Sequence, residues 1–221
     1  MLELLLAAFG ASLVSGMRHA TDPDHVVAVT TIVSRQRSVW SATGVGVLWG
    51  LGHSATILVV GGLLIALRVT LTPRIGLSLE LAVAGMLITL GVLNLVGTRA
   101  ARPAAPHAHT TSTLPPFVVG TVHGLAGSAA ATVFVTGMIA DPWWAMAVLV
   151  VFCAATVLGM TTVTLALALP SAFAAARMAR MQGGLRLASG FASVAFGVYL
   201  AHRIGFVDGL FLSSAPSWNA R

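Results

Sequence analysis

Within the eight residues from Arg18 to His25 the chain places an arginine, two histidines, two aspartates and a proline, in a stretch reading GMRHATDPDHVVAV that is apolar on both sides. A charged group inside an apolar span costs about 2.5 to 3.5 kcal/mol on insertion scales, so its default reading is functional. His19, Asp24 and His25 supply two imidazoles and a carboxylate, a donor set suited to a divalent transition metal ion. Arg18 and Asp22 are four residues apart and face each other on a helix, where they neutralise. That pairing is one reading of Asp22; the other, equally weighted, sets Arg18, Asp22 and Pro23 beside the metal ligands as supporting or gating residues.

On an unbroken helix, at about 100° per residue, positions 19, 24 and 25 point in directions about 120° apart and cannot hold one ion. Pro23 changes the geometry. Its ring clashes with the carbonyl of His19 and it offers no N–H, so the helix is expected to kink or open there and fold the three side chains inward. The competing reading is a charged helix end at the membrane interface. Further along, His53 sits in WGLGHSATILV, followed by Ser54 and Thr56 in an uncharged run. It either ligates, or supports a ligand together with Ser54, or packs as a histidine bonded to a neighbouring carbonyl. His123, in GTVHGLAGS, is a gate or a partner to the ligands, or equally a packing histidine.

These side chains belong to a chain that is 57% hydrophobic and 8% charged, with mean hydropathy +0.93, whereas soluble domains carry about 25% charged residues. It is an integral, all-α membrane protein. About six spans fit its 221 residues, at about 20 residues per crossing plus connections. Apolar runs put them near 3–33, 40–66, 79–97, 116–139, 143–169 and 186–204, the first long enough to be tilted, broken or split. The opening MLELLLAAFGASLVSG carries Glu3 where a signal peptide has basic residues, and reads as half of a transmembrane helix.

The formal charge is +6, and all twelve basic residues are arginine. They are scattered between apolar runs without aromatic clustering, which argues against nucleic acid and for topology signals. Arg35, Arg37, Arg99, Arg102, Arg177, Arg180 and Arg186 fall on one side of a six-span chain, and Arg68, Arg74, Arg203 and Arg221 on the other. Seven against four puts the first set in the cytoplasm and both termini outside. Cys153, the one cysteine, excludes a disulfide framework and a thiolate cluster and reads as a packing residue.

A shift of about 105 residues lays the second half over the first. It brings GMRHATDPDHVVAV onto GTVHGLAGSAAATV with His19 over His123, LGHSATILV onto LGMTTVTLAL, and LAVAGMLITLGVL onto LASGFASVAFGVYL. Because each unit holds three spans, the two repeats are expected to be inverted, with a site near the midplane where broken helices meet. The expected organisation is a first repeat over 1–97, a cytoplasmic linker over 98–115, a second repeat over 116–205 and a tail over 206–221. His107 and His109, in the linker, read as plain loop; Glu80 reads as an interfacial anchor and Asn94 as an interhelical hydrogen-bonding group.

RHATDPDHVVAV followed by GVGVLWGLGHSATILV resembles the paired signatures of the nickel/cobalt permeases, the NiCoT and related NicO superfamily. Carried over by position, that family's metal-binding histidine, aspartate and histidine fall on His19, Asp24 and His25, and its second histidine on His53. Pro23 replaces the alanine usual there, and Gly127, Ser128 and Thr132 replace the polar set of the larger permeases' second-half motif. Within that superfamily, the chain resembles the short branch of urease-accessory (UreH-like) membrane proteins. The resemblance implies a secondary transporter in the cytoplasmic membrane, taking up Ni²⁺ or Co²⁺, with no cofactor beyond the transported ion and with nickel-enzyme maturation proteins as partners.

Nitrogen-rich ligation argues against Mg²⁺, and the lack of thiolate against Cu(I). No phosphate-binding loop is present to couple ATP. Two other classes compete. An intramembrane metalloenzyme would need paired histidine boxes or His-Glu-x-x-His, which the sequence lacks, so no enzymatic activity is expected. A membrane accessory protein that hands nickel to urease without translocating it would carry the same metal motif.

Overall fold

A computed structural model describes residues 2–36, 38–99, 114–177 and 179–218. The linker histidines His107 and His109 lie outside the described residues, as do Arg37, Arg102 and Arg221. All regular structure among the described residues is helical. Five helical segments are long and apolar enough to cross a membrane, by length and composition: Val39–Leu67, Pro73–Gly97, Pro115–Met138, Pro142–Pro170 and Gly183–Val207.

The stretch 3–33 departs from the other expected spans. It is two helices, α1 (Leu2–His19) and α2 (Pro23–Val33), separated by a turn over Ala20 to Asp22. The reason is local. Pro23 has no N–H with which to continue α1, and its fixed φ suits it to the first turn of a new helix, where it stands. The turn is closed by Thr21 N–H donating to Arg18 O at 2.8 Å and Asp22 N–H to His19 O at 3.1 Å, with the Thr21 hydroxyl also donating to Arg18 O at 2.6 Å.

The second span joins α3 (Val39–Thr56) to α4 (Gly62–Leu67) through a π-helical turn, Ile57–Gly61. Ser38 starts it by accepting from Ser41 N–H at 3.1 Å, and Arg68, in a left-handed conformation at φ 54°, ends it. Then follow α5 (Pro73–Arg99), α6 (Leu114–Met138), α7 (Pro142–Arg177) and α8 (Ala179–His202). Asp141 caps α7 through the N–H groups of Trp143 and Trp144 at 3.0 and 3.1 Å.

Long side chains such as Leu4, Leu6, Val14 and Phe191 face outward, while Trp49, Leu87, Leu149 and Met160 are fully buried. Between the helices, small residues set the spacing. α3 lies against α6 so closely that a Cβ on Gly120 or Gly124 would run into the carbonyl oxygen of Trp49 or of His53. α1 packs along α7 in the same manner, and α5 pairs with α8. Cys153 is buried in an apolar cluster with Ile57, Val148 and Phe152, the packing position expected of it.

Asn94 makes the expected interhelical bonds. Its Nδ2 donates to Ser34 Oγ at 3.2 Å, to Ser189 Oγ at 3.0 Å and to Arg186 O at 3.1 Å, and its Oδ1 accepts from Arg35 Nε at 2.7 Å. This knot ties the end of α2 to α5 and α8. Glu80, near the opposite end of α5, accepts from the indole N–H of Trp218 at 2.8 Å.

Candidate metal centre

The break between α1 and α2 places His19 on the last turn of one helix and Asp24 and His25 on the first turn of the next. α3 brings His53 and α6 brings His123 to the same spot, and both are buried. His53 arrives because Gly124 lets the two backbones approach at that level. Four imidazoles and a carboxylate therefore meet inside the bundle.

His19 Nε2 lies 3.1 Å from His53 Nε2. Two imidazole nitrogens bound to one ion at about 2.0 to 2.1 Å would stand about 2.9 to 3.4 Å apart, depending on coordination geometry. Asp24 faces the other way, with Oδ1 3.2 Å from His25 Nδ1 and Oδ2 2.8 Å from His123 Nε2. The His25 ring stacks on His123 at 4.1 Å and stands edge-on to His19 at 4.6 Å and to His53 at 5.0 Å. Two triads of donor atoms result, each with all its atoms within 4.8 Å of one another: His19, His25 and His53, and Asp24, His25 and His123. His25 belongs to both.

Buried polar atoms ordinarily find partners. Here His25 Nε2, His53 Nδ1 and His123 Nδ1 have none among the described residues. An unpartnered imidazole nitrogen can bond to an ion or to water, so the cluster has donors with which it could hold a metal. Trp49 walls the cluster, its ring 5.4 Å from His25 and 5.8 Å from His123, and Phe152 lies 5.7 Å from the His19 ring.

Asp22 does not pair with Arg18. The i, i+4 geometry requires an unbroken helix, and α1 ends at His19, so the Asp22 carboxylate swings back to His19 Nδ1 at 2.7 Å. A carboxylate on Nδ1 fixes the ring and directs the Nε2 lone pair inward toward His53. Ser54 also does something other than support His53: its hydroxyl donates to Cys153 O at 3.1 Å and ties α3 to α7.

A cavity of about 530 Å³ opens beside the cluster. Of the cluster, His19, Asp24, His25 and His123 line it, as do Arg18, Asp22, Glu80, Tyr199 and Arg203. His53 does not reach it; that ring is wholly enclosed.

Sequence reasoning did not single out Trp49, Tyr199 or Arg203. Trp49 carries a signal, since it precedes His53 by one helical turn and so shares its face. Tyr199 and Arg203 sit in a separate part of the chain and carry none.

No model of a known protein family matches the chain, and no solved structure does. Among characterised proteins, it is 32% identical over 219 residues to the urease accessory protein UreH of Bacillus sp. (strain TB-90), an alignment covering 94% of this chain and 96% of that one.

Proposed function

The chain belongs to the UreH family, and from that premise we propose that it is a secondary transporter carrying Ni²⁺ or Co²⁺ across the cytoplasmic membrane, in the direction of uptake. The observation that carries the reading is the convergence of His19, Asp24, His25, His53 and His123 at a helix break inside an otherwise apolar bundle. A divalent ion must exchange its water for protein donors to cross such a bundle, and imidazole nitrogens replace water for Ni²⁺ and Co²⁺ where they would not for Mg²⁺. Asp22 and Asp24 add two negative charges against the two positive charges of the ion, which lowers the cost of burying it.

An inverted two-repeat architecture with six crossings, α1 and α2 together forming the first, fits the packing. Gly52 of α3 abuts Thr121 of α6, and Gly159 of α7 abuts Met17 of α1. In the repeat alignment Gly52 lies over Gly159 and Met17 over Thr121, so exchanging the halves exchanges the two contacts. The cavity leads from the cluster toward Arg203 and the start of α5, the side that the arginine count assigns to the exterior. At the opposite end the Asn94 knot closes the bundle about 14 Å beyond His25, at 1.5 Å per residue of α2.

The test is uptake of labelled nickel and cobalt into proteoliposomes holding the purified chain, with and without a proton gradient. Time-dependent accumulation that His25→Ala abolishes is expected; tight binding without accumulation under any gradient overturns the transport reading. That outcome is the one required by a second reading, favoured by the name of the relative, in which the protein delivers nickel to urease maturation proteins without moving it across the bilayer.

A further inference from the structure

The donors of the cluster fall into two sets that differ in kind and in exposure. Asp24, His25 and His123 line the cavity and include an oxygen; the Asp24 side chain is 29% exposed. His19, His25 and His53 offer nitrogen only; His19 also lines the cavity, whereas His53, the ring that sets this triad apart, is fully enclosed. The ring shared by both sets, His25, presents Nδ1 toward Asp24 at 3.2 Å, while its Nε2 is without a partner.

Resting on the transport reading above, we propose that the site has two successive ion positions that share His25 and are occupied in turn: a loading position formed by Asp24, His25 Nδ1 and His123 Nε2 at the cavity, and an enclosed, all-imidazole position formed by His19 Nε2, His53 Nε2 and His25 Nε2. His123 is thereby a metal ligand and not a gate.

Simultaneous occupancy is disfavoured by the chemistry of the shared ring. A neutral imidazole has one nitrogen lone pair to give, its other nitrogen carrying the proton. Holding ions on both edges requires an imidazolate and places two dications on opposite sides of one ring. Alternation needs only a change of tautomer. As the ion leaves Nδ1 for Nε2, one proton is released from Nε2 and one is taken up at Nδ1, where the Asp24 carboxylate accepts the hydrogen bond. No net proton is gained or lost.

The order gives selectivity a physical basis. A carboxylate at the cavity attracts any hydrated divalent cation, Mg²⁺ included. Passage to the enclosed position exchanges that oxygen for imidazoles, which Ni²⁺ and Co²⁺ accept and Mg²⁺ does not. The loading position collects ions and the enclosed one discriminates.

Binding to the full-length chain in detergent separates this proposal from transport, because no gradient or flux is involved. The wild-type protein should bind one Ni²⁺ per chain at saturation. His53→Gln should still bind one ion, about tenfold to a hundredfold more weakly, with the visible spectrum of bound Co²⁺ altered by the oxygen ligand. His123→Gln should leave the equilibrium affinity little changed and slow the association of Ni²⁺ in stopped-flow mixing, and Asp24→Asn, which preserves shape, should slow it in the same way. His25→Gln should abolish both positions. Two ions bound at once by the wild type, or equal losses of affinity in His53→Gln and His123→Gln, would overturn the proposal in favour of a binuclear or a single five-donor site. The expected binding pattern without liposome uptake would leave the two positions standing and defeat the transport reading alone.

Discussion

His19 Nε2 and His53 Nε2 stand 3.1 Å apart across a helix interface, although 34 positions separate them in the chain. One closes α1 and the other lies near the end of α3, so the contact joins two separate helices, while the end of α1 at residue 19 frees Asp24 and His25 to turn toward it. Replacing either partner of an ion held there removes a ligand. His19→Ala, Asp24→Ala and His25→Ala are each expected to abolish metal movement in proteoliposomes while the protein inserts and elutes as the wild type does. Normal uptake by all three would place the transport site elsewhere.

Asp22 acts through His19, whose Nδ1 it holds at 2.7 Å. Loss of a carboxylate behind a ligating histidine typically costs tenfold to a hundredfold in metal affinity. Asp22→Asn is therefore expected to weaken nickel binding by about tenfold or more, measured calorimetrically. Arg18→Ala should have the smaller effect, since the partner of Asp22 is His19. The reverse ranking would restore the i, i+4 ion pair that the sequence suggests.

The amino-acid sequence makes the helical class and most helix positions legible, because membrane spans declare themselves as apolar runs bounded by Pro, Arg and Ser. It also places the break: a proline four residues after His19 cannot bond to that carbonyl, whatever surrounds it. What it leaves open is long-range. His123 reads equally as packing or as function, since a lone histidine in GTVHGLAGS carries no local sign of the Asp24 carboxylate 2.8 Å from its ring. The Arg18–Asp22 pairing follows from helical spacing and fails because the same proline that opens the site also ends the helix on which that spacing depends. Helical spacing and a helix breaker in one stretch are competing rules, and the breaker prevails.

Asn94 is the centre of the knot at the far end of α2 and is 1% exposed. Asn94→Leu removes the acceptor of the Arg35 Nε–H and leaves a charged donor without its partner, with Ser34 and Ser189 losing a shared neighbour. Breaking a hydrogen bond to a charged group costs about 1.5 to 3 kcal/mol. A lowered thermal midpoint in detergent, with nickel affinity retained, is the expected result. A loss of nickel affinity without loss of stability would mean that the knot shapes the site directly.

Sidedness is open to direct measurement. Gln36 follows α2, and Asp141 precedes α7; the six-crossing arrangement puts them on opposite faces. With Cys153 replaced by Ala, single cysteines at 36 and 179 should react with a membrane-impermeant maleimide only from the cytoplasmic face, and one at 141 only from the exterior. Reaction of 36 and 141 from the same face would refute both the crossing count and the inverted repeat.

Pro23 is where sequence and structure bear most directly on one another. His19 O has no Pro23 N–H to accept and takes the Asp22 N–H at 3.1 Å, which tightens the chain into a turn, while Val26 N–H bonds to Asp22 O at 3.0 Å and starts α2. An alanine at 23 restores the missing donor. The bond from residue 23 to His19 O would extend α1 by a turn and carry Asp24 and His25 onto its helical course, where they diverge from His19 by about 120°. The tertiary contacts oppose that change: Asp24 is anchored to His123 at 2.8 Å, Asp22 to His19, and the Thr21 hydroxyl to Arg18 O at 2.6 Å. The opening thus has supports besides the proline, so Pro23→Ala should weaken the site without destroying it. The expected loss is about tenfold in nickel affinity, the scale of loosening one supporting element of a metal site. An unchanged dissociation constant for nickel would mean that the packing of α3 and α6 around the break, and not the proline, holds His19, Asp24 and His25 together.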